Sequence, residues 1–315
     1  MPSSAVRIFT DPEDYAASFR EAQVEITVTA RGQFAAELTR IHLHRVRIQR
    51  FSDELPRLAH SALATGSAMF SWLTQPGPRQ LSSGVEMQST SIMRHSEGNS
   101  NYLRSSGFAR YGSMSLPVED LALVGEVVVE LDLTPPRDPM PITPPPAAMA
   151  RLQRLHAAAG DLAENAPEII ANPDAARGLE QGLIEAMVGC VGHHEDRRNS
   201  VAQGQHAIVM RRFRRIVEEN PEQPLYIPEI CKAIRVPSRT LRMVCQEHLG
   251  MGPKRYLVQR RLNLARRALR EANHEATTVT DIAMRFGFWQ LGRFSAEYQA
   301  VFGESPSATL RRQPG

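Results

Sequence analysis

Apolar positions along the chain change their period near residue 147. Before that point they alternate: Val24, Ile26 and Val28, then Ile41 and Leu43, then Val46 and Ile48, with a break at Arg31-Gly32. A period of two marks a strand with one buried face. Further short stretches lie at Ala68–Leu73, Met87–Met93, Phe108–Leu116 and Val127–Leu131, separated by Gly, Ser, Pro and Asn clusters. Many short strands with such punctuation predict a β-rich domain over residues 1–133, a barrel or a sandwich.

Residues 134–146, TPPRDPMPITPPP, hold seven prolines. Proline fixes φ and removes the amide donor, so this stretch reads as an extended, stiff connector. From Ala147 the period becomes helical. Met149, Leu152, Leu155, His156 and Ala159 trace one face, and Leu179, Leu183, Ala186, Met187 and Cys190 trace another. Residues 147–204 are thus expected to be a helical segment with a polar end. An amphipathic pair beside a β-domain presents an apolar face that needs cover, which points to dimerisation. A further helix is expected over 205–219. The overall class is α+β.

The tail repeats itself. At a shift of 53 residues Leu241 falls on Phe294, Cys245 on Tyr298, Gln246 on Gln299, Leu249 on Phe302, Gly250 on Gly303 and Pro253 on Pro306. Upstream, Glu229-Ile230 matches Asp281-Ile282 at a shift of 52, so one residue is added inside the second copy. Each copy has helix–turn–helix grammar. In the first, Pro228 opens a helix with Ile230, Ala233 and Ile234 inward, Arg235-Val236-Pro237 turns, and a second helix from Ser238 ends at Gly250. In the second, Thr280 is placed to cap, Ile282, Ala283 and Phe286 pack, Gly287 turns, and a helix starts near Gln290. Trp289 reads as a packing residue at that turn. Between the copies, residues 254–272 form one long helix with Leu262, Ala265, Leu269 and Ala272 in a stripe. Nineteen residues span ~28 Å, close to the ~34 Å between successive major-groove faces of a duplex.

Charge sharpens this picture. The whole chain of 315 residues carries 37 Lys+Arg and 34 Asp+Glu, a net of only +3, but residues 1–204 are net −6 and residues 205–315 net +9. An acidic front with a basic tail points to nucleic acid or an anionic membrane as the tail's partner. No apolar run reaches the ~20 residues needed to cross a bilayer, and the N-terminus shows no secretory signal. Three cysteines, Cys190, Cys231 and Cys245, are too few and too odd in number for a disulfide framework. The chain reads as a soluble cytoplasmic protein.

The runs LRMVCQEHLGMGPKRYLVQRRLNLARRAL and TDIAMRFGFWQLGRFSAEYQAVFGESPSATLRR resemble the double helix–turn–helix DNA-binding domain of the AraC/XylS family of bacterial transcription regulators. Ile282-Ala283, Gly287-Phe288, Phe294, Phe302-Gly303 and Ser305-Pro306 carry the likeness most closely, which covers residues 209–314. GSMSLPVEDL, residues 112–121, looks like part of the cupin-type sensor and dimerisation domain of some members. The resemblance implies a sequence-specific regulator, an activator more than a repressor. Its partners would be promoter DNA, a second copy of itself, RNA polymerase and a small effector. No cofactor, enzymatic activity or membrane role is implied. Three departures stand out: Pro237 replaces the family's usual serine, Ala296 stands where an arginine is common, and Arg235 occupies a turn position where glycine is frequent.

With Leu241 and Cys245 inward, Ser238, Arg239 and Arg242 project from the first reading helix, and an arginine fork suits the two acceptors of guanine. In the second, Phe294 and Tyr298 point inward and leave Gln290, Arg293 and Glu297 outside. Gln290 suits adenine, Arg293 guanine or a phosphate, and Glu297 cytosine. Arg211, Arg212, Lys254 and Arg255 are candidates for phosphate contacts, with Arg260 and Arg261 as further ones, although Arg261 is also placed to pair inside the domain. The rival reading is a metal-binding cupin enzyme or sensor with DNA binding secondary. It rests on His42 and His44 sharing one strand face.

Overall fold

The computed structural model describes the chain except residues 21, 99, 127–132, 137, 193–200, 224, 274–275 and 313–315. The strand expected at Val127–Leu131 therefore lies outside the described residues. Two compact units are present. One comprises Met1–Glu25, Phe34–Glu54 and His60–Arg197; the other comprises Ile26–Gln33, Leu55–Ala59 and Arg198–Gly315.

The chain opens with β1 (Ser3–Phe9), α1 (Pro12–Ala17), β2 (Ala22–Val28), β3 (Ala36–His42), β4 (Arg47–Asp53), β5 (Arg57–Leu63) and β6 (Ser67–Leu73). It continues through β7 (Gln80–Ser82), β8 (Val85–Glu86), β9 (Ile92–Arg94), β10 (Ser100–Ser105), β11 (Ala109–Pro117), α2 (Val118–Val124) and β12 (Met140–Ile142). One sheet has the order β1-β3-β4-β11-β6-β9-β12 and the other β2-β5-β10-β7-β8. Residues of both sheets share a core of Leu73, Met93, Ala109 and Tyr111 with Val85 and Leu103. The Tyr111 hydroxyl donates to Gln80 Oε1 across it at 2.5 Å.

Two expectations change here. Met87–Met93 is not one strand, since β8 ends at Glu86 and β9 begins at Ile92. The intervening turn is closed by Ser91 Oγ, which accepts from the Gln88 amide and donates to the Gln88 carbonyl. The proline-rich stretch contains β12, paired antiparallel with β9. Ile142 is 1% exposed and belongs to the main core.

The helices α3 (Pro146–Asn165), α4 (Pro167–Ala171) and α5 (Pro173–Val191) each begin on proline, whose missing amide hydrogen has no partner in a first turn. Asn172 caps α5 by accepting from the amides of Asp174 and Ala175. Their apolar stripes are covered within the same unit: Met149, Leu152 and Ala159 join Leu183, Ala186, Met187 and Cys190 in a core with Ile41, Ile48, Phe70 and Trp72. Glu180 of α5 accepts from the amides of Arg45 and Val46 in the turn after β3. The uncovered apolar face that would have called for a dimer is thus absent from this pair. His156 lies edge-on against Trp72, its ring centroid 4.9 Å away, with Nε2 3.1 Å from the Gln49 carbonyl oxygen. A Cβ at Gly112 would sit 2.7 Å from this imidazole, so only glycine leaves room for it. Burial holds the His156 imidazole down to about 4.

The second unit is built on α6 (Val201–Glu219), α7 (Ile227–Ile234), α8 (Ser238–Leu249), α9 (Pro253–Glu271), α10 (Val279–Arg285), α11 (Leu291–Phe302) and α12 (Pro306–Arg311). Val209, Met210, Phe213 and Val217 form the buried stripe of α6. Phe213 meets Tyr256 of α9 at 5.9 Å between ring centroids. Further along α9, Leu262, Ala265 and Leu269 pack with Ile282, Ala283, Phe286, Phe288, Phe294 and Tyr298. One long helix therefore serves the cores around both helix–turn–helix motifs. Among the described residues no helix is long and apolar enough to cross a membrane.

Candidate nucleic-acid interface

The second helices of the two motifs correspond residue for residue. α8 and α11 each have 12 residues and start 53 apart. Each ends on a left-handed glycine, Gly250 at φ 69° and Gly303 at φ 75°. Their buried sides are Leu241, Val244, Cys245, His248 and Leu249 in α8, and Phe294 and Tyr298 in α11. Spacings of three and four put these on one face, so the opposite face of each helix is turned to solvent.

On that solvent face of α8 lie Ser238, Arg239 and Arg242, all exposed. Neither arginine has a partner among the described residues. On α11 the picture differs. Gln290 is the N-cap residue rather than part of the first turn. Arg293 donates from Nε to Glu297 Oε1 at 2.7 Å. The guanidinium and the carboxylate expected to read separate bases are therefore joined in the free protein. Ala296 is exposed on this same helix.

The positions assigned to phosphate divide in the same way. Lys254 and Arg255 stand exposed in the first turn of α9. Arg212 of α6 instead donates to the Ile234 carbonyl at the end of α7. Arg211 is half-buried and engaged in contacts of its own. Arg261 takes the place in the second motif that Arg212 takes in the first. It donates to the Phe286 and Gly287 carbonyls at the end of α10, and its guanidinium lies 4.9 Å over the Phe288 ring. Burial lowers its pKa. Arg260 is buried. These carbonyl contacts withdraw Arg261 from the exposed cationic surface, and burial withdraws Arg260.

The turns also differ from expectation. Thr278, not Thr280, caps α10: its hydroxyl accepts from the Asp281 amide while the Asp281 carboxylate accepts from the Thr278 amide. The Thr278 hydroxyl also donates to the Asp281 carboxylate at 2.6 Å, and this bond, with the one from the Thr278 amide, holds that carboxyl below its usual range. Ala233 is exposed rather than inward. Arg235 adopts a left-handed φ of 57°, the conformation that Gly287 takes at φ 74° in the second motif. Pro237 is the N-cap of α8 and provides no side-chain cap, and Ser238 follows as the first helical residue without replacing it. Trp289 is 69% exposed and does not pack.

Burial disfavours the thiolate at all three cysteines. Burial pushes Cys190 and Cys245 up to about 12, and Cys231 is raised as well. The metal reading loses its geometry. β3 ends at His42, and His44 lies beyond it with Nε2 3.1 Å from the Pro173 carbonyl oxygen, so the two imidazoles do not share a strand face. No group of three or more His, Cys, Asp or Glu gathers as a metal site among the described residues.

Residues 230–312 match the family model for a helix-turn-helix domain. Over 104 residues the chain is 35% identical to the XylDLEGF operon transcriptional activator 3 of Pseudomonas putida, covering 32% of this chain and 31% of that one. It is 39% identical over 98 residues to the probable thc operon regulatory protein of Rhodococcus erythropolis, covering 31% and 30%. A solved structure of a probable AraC family transcriptional regulator from Rhodopseudomonas palustris matches at 32% identity and a TM-score of 0.31, covering 34% of this chain and 98% of that one. The match spans about a third of the length of the curated relatives. By geometry and by likeness residues 230–312 are a helix-turn-helix domain, similar to that of the AraC/XylS regulators.

Proposed function

We propose that the protein is a transcription regulator, an activator, that binds promoter DNA through α8 and α11 and is controlled by a small effector through its β-rich unit. The observation that carries this reading is the repeated motif. Two 12-residue helices with matching caps, each with a solvent-facing side, flank one 19-residue helix. That helix is ~28 Å long, a length suited to placing two reading helices in successive major grooves.

In this reading Ser238, Arg239 and Arg242 meet base edges from α8, and Gln290, Arg293 and Glu297 do so from the second motif. Arg211, Arg212, Lys254 and Arg255 position the domain on phosphates. A second copy of the chain and RNA polymerase complete the set of partners, and the cytoplasm is the compartment that fits them. The names of the Pseudomonas putida relatives support activation over repression.

Selection of bound duplexes from a random pool tests the proposal. The expected outcome is a site with two conserved blocks about one helical turn apart. A pool that shows no enrichment at low ionic strength overturns it. Light scattering at micromolar concentration tests the second copy.

A further inference from the structure

The turns of the two motifs differ by one residue, and hydrogen bonds locate it. Val236 N to Cys231 O in the first motif corresponds to Phe288 N to Ala283 O in the second, 52 residues on. Leu241 N to Pro237 O corresponds to Phe294 N to Gln290 O, 53 residues on. The residue without a counterpart is Trp289. The first motif closes the same turn without it, so the fold does not need an indole there. Its flanking aromatics are buried, Phe288 at 8% and Phe294 at 1%, whereas Trp289 is 69% exposed, and Leu291, the opening residue of α11, is 38% exposed.

In helix–turn–helix domains the N-terminal residues of the second helix meet base edges. In α8 those positions are Ser238 and Arg239, which hydrogen-bond. Their counterparts in α11 are Leu291, whose side chain offers no hydrogen bond, and Gly292, which has none to offer. The feature of a major-groove base edge that an apolar side chain recognises is the 5-methyl group of thymine. Tryptophan also brings a large apolar surface at low entropic cost, and for that reason it is enriched where proteins meet partners.

We propose that Trp289 and Leu291 form an apolar lip that reads thymine methyl groups in the half-site facing α11, while α8 reads its half-site by hydrogen bonds. This rests on the DNA-binding function proposed above. It adds to that function the base and the chemical group that the second motif selects.

The test uses the full chain and a fluorescently labelled duplex of the sequence recovered from the pool. Each thymine is replaced in turn by deoxyuridine, which removes only the methyl group. Binding should weaken about fourfold at one or two thymines of the α11 half-site, the effect of uncovering one methyl, and not at thymines facing α8. Leu291→Ala or Trp289→Ser should make thymine and deoxyuridine equivalent at those positions. The Trp289→Ser variant should keep its melting temperature, because the first motif folds without the residue. Tight binding that ignores every deoxyuridine overturns the lip and leaves DNA recognition standing; no binding to any duplex removes the function beneath it. Should Trp289→Ser keep affinity and methyl sensitivity but lose transcription in vitro, the indole faces polymerase and the lip is overturned.

Discussion

The first helix–turn–helix motif and the second share a backbone and little else. The length of the second helix, its glycine cap and the proline that opens the next helix correspond, from Pro253 at α9 to Pro306 at α12. The side chains offered to solvent do not correspond. α8 presents two arginines without partners among the described residues, whereas the Arg293 guanidinium of α11 is tied to Glu297 and preceded by an exposed tryptophan and leucine. Duplicated folds can thus keep the scaffold constant and move the chemistry of contact to a few exposed positions. Base preference belongs to those positions rather than to the fold.

The sharpest break in the comparison is cationic. Replacing both Arg239 and Arg242 by alanine should weaken binding to the selected duplex by about a hundredfold or more, since each bidentate contact contributes about 1–3 kcal/mol. Arg293→Ala should cost only about tenfold, because the guanidinium must first leave Glu297. Titrations of labelled duplex measure both. Equal losses from the two motifs would show that α11 relies on charge as much as α8 does.

A smaller difference lies in the cores. His248 is buried in α8 with Nε2 unpartnered, where the second motif has Val301. Burial lowers its pKa, against a raising contribution from Glu247, while His206 lowers it further. The unfolded chain therefore takes up this proton at a higher pH than the folded one. Stability from this site is complete above the unfolded pKa near 6.5 and falls as pH drops below it, by at most about 1.4 kcal/mol per pH unit. Urea unfolding at pH 7.5 and 5.5 should show this loss, reduced in His248→Val by the contribution of that one imidazole. An unchanged pH dependence in the variant would refute the assignment.

The smallest effects sit in the turns. Gly287→Ala should cost about 1 kcal/mol, the penalty of a side chain at left-handed φ. Arg235→Gly should gain about 0.5 kcal/mol, because relief of that same penalty exceeds the added chain entropy of glycine. Thermal melts distinguish the two signs, and a destabilised Arg235→Gly would mean that the arginine side chain itself holds the first turn.

Much of the second unit was legible because its determinants are local. Gly250 and Gly303, the prolines opening α9 and α12, and the inward Leu241, Cys245, Phe294 and Tyr298 are each readable within one turn of helix. Thr278-x-x-Asp281 also has capping-box spacing, but Thr280 lies closer to the apolar run and drew the assignment. Long-range partners were not legible: nothing local tells that Arg261 reaches the Phe286 carbonyl or that Arg293 meets Glu297. The shift from 52 to 53 announced an inserted residue, yet only the turn hydrogen bonds identify it as Trp289. In the β-rich unit, β1 is an edge strand whose short alternation, Val6 and Ile8 around Arg7, marks no buried face, since both apolar residues are exposed. β12 is masked by Pro141 and the prolines around it, and an edge strand tolerates Pro141 because one side of its ladder needs no donor.

The chain has two tryptophans, and each compact unit holds one. Trp72 is 0% exposed against His156, and Trp289 stands 69% exposed in water. Their fluorescence should therefore separate: a dissolved quencher such as iodide darkens the outer indole and spares the inner one. Acid that charges His156 should act in the reverse sense. An unlabelled sample thus reports on its β-rich unit and its helical unit separately, without any dye.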